Sequence, residues 1–173
     1  MCSILPYCER DGIPTLRDSD LLHLYDRMDA EGLAVKCYPD GRDHWLAEMK
    51  TKRSSLYVVI LNDLVFGMLW LNDFRARYAH AHFVVFKDFH GRENACNAQD
   101  ALNKVLHGKD FDGRYVFDGF LAMIPTWNRL AVAYARRCGF RSVGVIPFGY
   151  YDKVKQQSVP VELLEIQRRA ENG

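Results

Sequence analysis

Three strand-length apolar runs follow one another between Ser55 and Phe86, and they limit the fold more than any other feature of this chain. "SLYVVILN" ends in Asn62-Asp63, a turn pair, and "LVFGMLWLN" returns after it, so the two predict a hairpin. "YAHAHFVVF" begins as a polar/apolar alternation and ends solidly apolar. Three successive strands read most simply as an antiparallel meander.

The flanks have the other period. Asp18 to Glu31 places Leu21, Leu22, Leu24, Tyr25 and Met28 mostly on one side of a helix, with Gly32 as its stop. Asp40 to Thr51 predicts a second, shorter helix carrying Trp45, Leu46 and Met49. Beyond the meander, Ala98, Ala101, Leu102, Val105 and Leu106 follow the i, i+3, i+4, i+7, i+8 rule. That spacing predicts a helix with Asn97 as N-cap and Gly108 as the glycine just past its end. "RYVFDGFLAMIP" predicts a fourth strand and "RSVGVIPFGYY" another, with a helix between them. "VPVELLEIQ" fits a strand better than a helix. The order predicts an α/β (α+β) layout on a mixed sheet. The length of 173 residues predicts a single domain, 1–173, with residues 1–17 as an N-terminal extension of no assigned role.

Charge and cysteine usage exclude several functions. Lys plus Arg is 23 and Asp plus Glu is 22, so the chain lacks the basic footprint of a nucleic-acid binder. Its five cysteines, Cys2, Cys8, Cys37, Cys96 and Cys138, form no CxxC pair, which argues against zinc ribbons and thioredoxin-like chemistry. Unpaired thiols and a start without an export signal predict a cytoplasmic protein. The longest apolar run, the six residues Leu56 to Leu61, is far too short to cross a membrane.

The stretch "NRLAVAYARRCGF", Asn128 to Phe140, predicts a short amphipathic helix. Trp127, Leu130, Ala131, Tyr134, Ala135 and Cys138 share its predicted face, Gly139 supplies a left-handed position, and Phe140 can pack back on the last turn. This ending has a complete structural explanation on its own. Its context adds another. Phe120-x-Ala122-x-Ile124 precedes Asn128 by three residues, Ala131 follows, and Gly139-Phe140 closes the helix before the next strand. That pattern, with the element order from Asp18 to about Gln167, resembles the GNAT superfamily of acyl-CoA-dependent N-acyltransferases, in a divergent branch found in bacteria and their phages.

The resemblance implies a largely antiparallel sheet flanked by helices, with the strands at Tyr78–Lys87 and Tyr115–Ile124 adjacent, parallel and splayed around the pantetheine arm of acetyl-CoA. It implies cofactor contacts from Val85, Phe86, Lys87, His90, Gly91, Arg92, Asn97 and Asn128. The family's glycine-rich pyrophosphate loop has Glu93, Cys96 and Ala98 at its aligned positions here, so His90, Gly91 and Arg92 are the substitutes. The family's tyrosine acid falls at Ala135, one residue after Tyr134. In such chemistry an amine attacks the thioester directly, and the protein removes a proton, holds the reactants and stabilises the oxyanion. The candidate catalytic residues are His82, with His80 on the same strand face, Asp118 on the neighbouring strand, and Tyr134 as acid. Asp73 reads as a loop carboxylate at a hairpin end, and His80-x-His82 is half a metal site without an evident third ligand. The expected partners are acyl-CoA and an amine acceptor, with a homodimer as the assembly. The alternatives are a non-catalytic module of the same fold and a metal-dependent enzyme.

Overall fold

The computed structural model describes residues 2–91, 94–153 and 155–168. The elements run β1 (Cys2–Pro6), β2 (Glu9–Arg10), β3 (Ile13–Pro14), α1 (Asp18–Ala30), α2 (Ala34–Cys37), α3 (Arg42–Met49), β4 (Ser55–Leu61), β5 (Leu64–Arg75) and β6 (Tyr78–Val85). A short 3-10 turn (Lys87–Phe89) leads to α4 (Ala95–Leu106), β7 (Gly119–Pro125), α5 (Arg129–Arg137), β8 (Arg141–Asp152) and β9 (Gln157–Gln167). Among the described residues one sheet has the order β1-β4-β5-β6-β7-β9-β8, and β2 pairs with β3 apart from it. This is the predicted α/β class with a mixed sheet.

The sequence pattern explains most of these elements. Asn62 and Asp63 both take positive φ, 51° and 62°, as a two-residue hairpin turn between β4 and β5 demands. The last segment is the strand β9, antiparallel to β7 from Gly119↔Gln167 to Pro125↔Val161. Residues 1–17 are more than an extension: β1 pairs antiparallel with β4, Cys2↔Leu61 to Pro6↔Tyr57, and so forms a strand of the main sheet. The strand expected from Tyr115 starts four residues later, at Gly119. Tyr115 is held elsewhere, bridging to Lys109 and lying under the Arg168 guanidinium at 3.9 Å.

Contacts within the chain gather into two compact units, and their division falls inside β5 and β6. The first comprises Met1–Asp73 and His82–Asn94. Its core joins Leu21 and Met28 of α1, Trp45 and Met49 of α3, and Leu56, Met68, Trp70 and Phe86 from the strands and their ends. At Gly67 of β5 an added Cβ would stand 2.1 Å from the Val84 carbonyl oxygen, so only glycine admits this approach. The second unit comprises Phe74–Ala81 and Ala95–Gly173. Its buried residues include all five predicted apolar positions of α4, with Phe120, Val132, Phe140 and Leu164.

Candidate active site

The segment that carries the resemblance folds largely for its own stability. Asn128 is the N-cap of α5: its Oδ1 accepts from the Ala131 N–H at 3.3 Å, and its own N–H donates to the Pro125 carbonyl at 2.8 Å. At the other end Gly139 has φ 99°, its N–H reaches the Arg136 carbonyl, and the Phe140 N–H reaches the Ala135 carbonyl. This pair of bonds is the predicted Schellman ending. The predicted apolar face is rotated, because Val132 is buried, whereas Leu130 is 85% exposed and Trp127 is 46% exposed. Tyr134 is half-buried, and burial first, then the neighbouring Cys138, pushes its hydroxyl pKa up. Burial also pushes the Cys138 thiol up to about 12, so this sulfur is a packing group.

The β6–β7 ladder is parallel, as predicted, and covers three pairs: Tyr78↔Gly119, Ala79↔Phe120 and His80↔Leu121. Two positions past the last pair, the Met123 N–H donates to Nε2 of His80 at 3.1 Å. That bond occupies the nitrogen lone pair a base would use. At the opposite end of the ladder lies Asp118, just before β7 and not on it. Its carboxylate sits 3.2 Å from Arg77 and 3.2 Å from Arg168, and the Arg168 N–H donates to its carbonyl. Two guanidinium groups hold it as a structural anion.

At the exit of β6 the backbone groups are already engaged. The Val85 carbonyl accepts from His90 Nε2 at 2.9 Å, the Phe86 N–H donates to the Phe66 carbonyl at 3.0 Å, and the Lys87 N–H donates to Glu31 at 2.7 Å. The Phe86 ring is fully buried with the Arg27 guanidinium 4.0 Å above it. His90 and Gly91 are exposed, while Arg92 and Glu93 lie outside the described residues. Asn97 is not the N-cap of α4: the helix begins at Ala95, which puts Asn97 inside its first turn. Gly108 follows α4 without a left-handed φ.

His82 belongs to a different arrangement, in the first unit. Its ring stacks on Trp70, 5.0 Å between centroids and 4° between planes, and its Nε2 meets Asn72 Oδ1 at 3.1 Å. The Asn72 amide donates in turn to Glu48 Oε1 at 3.2 Å. From the other side the Tyr38 hydroxyl donates to Glu48 Oε2 and stands 2.6 Å from His44 Nδ1. A hydroxyl has one proton, and here it goes to Glu48, so His44 donates through Nδ1. The same logic puts a proton on His82 Nε2, which donates to Asn72. Ser54 adds a longer bond to Glu48 at 3.4 Å. Burial, followed by the bond and charge of Glu48, pushes the Tyr38 hydroxyl pKa up.

This network forms a wall of a cavity of about 450 Å³, lined by His44, Glu48, Thr51, Arg53, Asn72 and Asp73. Asp73 lies among the last residues of β5 with φ 46°, so it is a strand residue near the hairpin end and not a loop carboxylate. Of the sequence candidates only His82 is in this network; Tyr38, His44, Glu48 and Asn72 were not singled out. The available signal was His44 and Glu48, four apart and so on one face of α3. Among the described residues no group of three His, Cys, Asp or Glu side chains is arranged to hold a metal ion.

No protein-family model matches the chain, and no curated protein sequence matches it. Solved structures do. A Vibrio cholerae spermidine N-acetyltransferase in complex with CoA and spermine is similar with a TM-score of 0.65 at 13% identity, over 96% of this chain and 95% of that one. A Salmonella typhimurium acetyltransferase that modifies the N-terminal serine of ribosomal protein L7/L12 gives 0.70 at 13%, over 88% and 92%. The microcin C7 self-immunity acetyltransferase MccE, in complex with acetyl-CoA and AMP, gives 0.65 at 15%, over 87% of each chain. The chain therefore has the GNAT fold, shared with N-acetyltransferases. Among the described residues no helix is long and apolar enough to cross a membrane.

Proposed function

We propose that this protein transfers the acetyl group of acetyl-CoA to a primary amine, on a small molecule or a protein, by direct attack. The observation that carries this reading is the fold, which spans nearly the whole chain and is shared with acetyltransferases whose structures contain CoA or acetyl-CoA. In the reaction the ammonium loses a proton and its nitrogen attacks the thioester carbonyl. The tetrahedral oxyanion collapses to the amide as the nitrogen gives up a second proton, and the CoA thiolate leaves and takes up one proton. His82 is the proposed base, with its orientation fixed by Trp70 and Asn72. Asp118 and Tyr134 are given no proton to move: the first is bound by two arginines, and the second holds its proton too firmly. Val85, Phe86, Lys87, His90, Gly91, Arg92, Asn97 and Asn128 remain proposed donor contacts on the resemblance. The cytoplasm is the proposed location, supported by the free thiols. A homodimer is the proposed assembly, supported by the exposed Val143, Val145 and Phe148 of β8.

A second reading, a non-catalytic module of the same fold, is favoured by the engaged backbone at Val85 and Lys87. Calorimetry with acetyl-CoA and an assay for amine-dependent thiol release separate the two. Binding with release of one thiol per amide formed supports transfer. No binding, or binding without release for any primary amine, leaves the non-catalytic module.

A further inference from the structure

We infer that the cavity lined by Glu48, His44 and Asn72 is the recognition site for the acceptor, and that it selects a cationic alkyl amine by seating an ammonium group on Glu48. This deepens the acetyl-transfer reading and rests on it for the word acceptor.

The argument starts from the direction of the hydrogen bonds. His82 donates to Asn72, and Asn72 donates to Glu48; His44 donates to Tyr38, and Tyr38 donates to Glu48. Every arm of the network points its protons inward, at one carboxylate. Such an arrangement matches a carboxylate, whose oxygens only accept. Among the described residues the groups that directly bond Glu48 are two hydroxyls and an amide, all neutral. They supply dipoles and no compensating charge. The carboxylate is partly shielded from water and forms part of a cavity wall. A fixed, dipole-supported anion facing a cavity is a receptor for a cation. The remaining wall agrees in sign and size. Asp73 adds a second carboxylate, and Arg53, exposed, is the lining cation. A volume of about 450 Å³ is that of a small-molecule pocket and admits an alkyl diamine with room to spare. The link through Asn72 also ties recognition to chemistry, since the same amide that supports Glu48 orients the imidazole of His82.

The test uses the full chain and two probes of equal length, 1,4-diaminobutane and 1,4-butanediol, in calorimetry. The diamine should bind at least about tenfold more tightly than the diol. Glu48→Gln, which keeps the shape and removes the charge, should cost the diamine about tenfold or more. The acetyl-CoA affinity of Glu48→Gln should equal that of the parent. Equal affinity for diamine and diol, undiminished diamine binding in Glu48→Gln, or no diamine binding to the parent overturns the inference. Should Glu48→Gln fail to fold, carbodiimide modification of Glu48 in the parent, read by mass spectrometry, replaces it. The diamine should slow that reaction, and an unchanged rate overturns the inference. Failure of the acetyl-transfer reading is distinguishable: the diamine then binds at Glu48 while acetyl-CoA does not bind or is not turned over.

Discussion

At the start of α5 the oxygen of Asn128 is spent on a helix cap, and before β7 the carboxylate of Asp118 is spent on two arginines. In the cavity of the first unit the traffic runs the other way. Tyr38, Asn72 and Ser54 donate to Glu48, and among the described residues its donors are neutral. The first region uses polar groups to satisfy the fold, while the second uses the fold to support one anion. A recurring motif can thus be mostly architecture, and chemistry can gather where no motif points. The difference is physical. A buried or capped polar group that is fully paired has little left to offer a ligand, whereas an oriented, uncompensated charge retains its interaction energy for one.

The largest effect expected from this contrast is kinetic. His82→Gln preserves a donor toward Asn72 and removes the base, so amine-dependent turnover should fall about a hundredfold or more with acetyl-CoA affinity unchanged. Tyr134→Phe should leave turnover intact. The reverse pattern would move the chemistry from the cavity to α5.

Next comes packing in the second unit. At Gly119 an added Cβ would lie 2.5 Å from the Tyr78 ring and 2.8 Å from the Ile166 carbonyl oxygen. Gly119→Val should therefore lower unfolding free energy by roughly 1–3 kcal/mol in urea denaturation. A neutral result would mean that the start of the β6–β7 ladder tolerates a side chain.

Asn128 sharpens the contrast at a smaller scale. Asn128→Ala should lose roughly 0.5–2 kcal/mol of stability, while Asn128→Asp keeps the capping oxygen and most of that stability. The Asp variant lacks the amide donor and adds a negative charge, so Asn128→Ser, which caps through a neutral oxygen, is its control. Weakened acetyl-CoA binding in both Asn128→Asp and Asn128→Ser, with stability retained, would show an amide contact beyond the cap.

The smallest effect concerns the Glu162 carboxylate. Hydrogen bonds from Ser142 and then from Arg136, whose guanidinium lies 2.6 Å away, hold its pKa below the ordinary 4.5. A carboxyl with a lowered folded pKa stabilises the fold above its unfolded value and loses that contribution as pH falls through the folded one. Stability of the parent should exceed that of Glu162→Gln by about 1 kcal/mol or less near neutrality, with the gap closing below pH 4.5. A constant gap down to acid would assign the difference to packing.

Much of the fold was legible in the sequence because its signals are local. The Asn62-Asp63 turn, the apolar face of α4, the Gly139-Phe140 stop and the change of period near Ser55 each need only neighbouring residues. Features set by distant partners were not legible. Cys2–Pro6 becomes a strand only by pairing with residues some fifty positions on, and α2 is a four-residue helix with no periodicity to read. Tyr115 leaves the predicted strand for Lys109 and Arg168. The candidate site divides in the same way. His82 was visible as a polar residue on an apolar strand, but its network draws on α3, β5 and the loop before α3, and beyond the i, i+4 pair His44 and Glu48 sequence spacing carries no trace of that convergence. The motif-bearing Asn128 is the N-cap of α5, a role that its place just before that helix serves.

The comparison of the two regions can be tested directly by amide NMR of the full chain titrated with 1,4-diaminobutane. Perturbed signals should cluster at residues 44–54, at the Asn72 side-chain amide and at the rings of His44 and His82, with residues 119–139 unmoved. Perturbations confined to residues 119–139, with the Asn72 amide unshifted, would contradict the account.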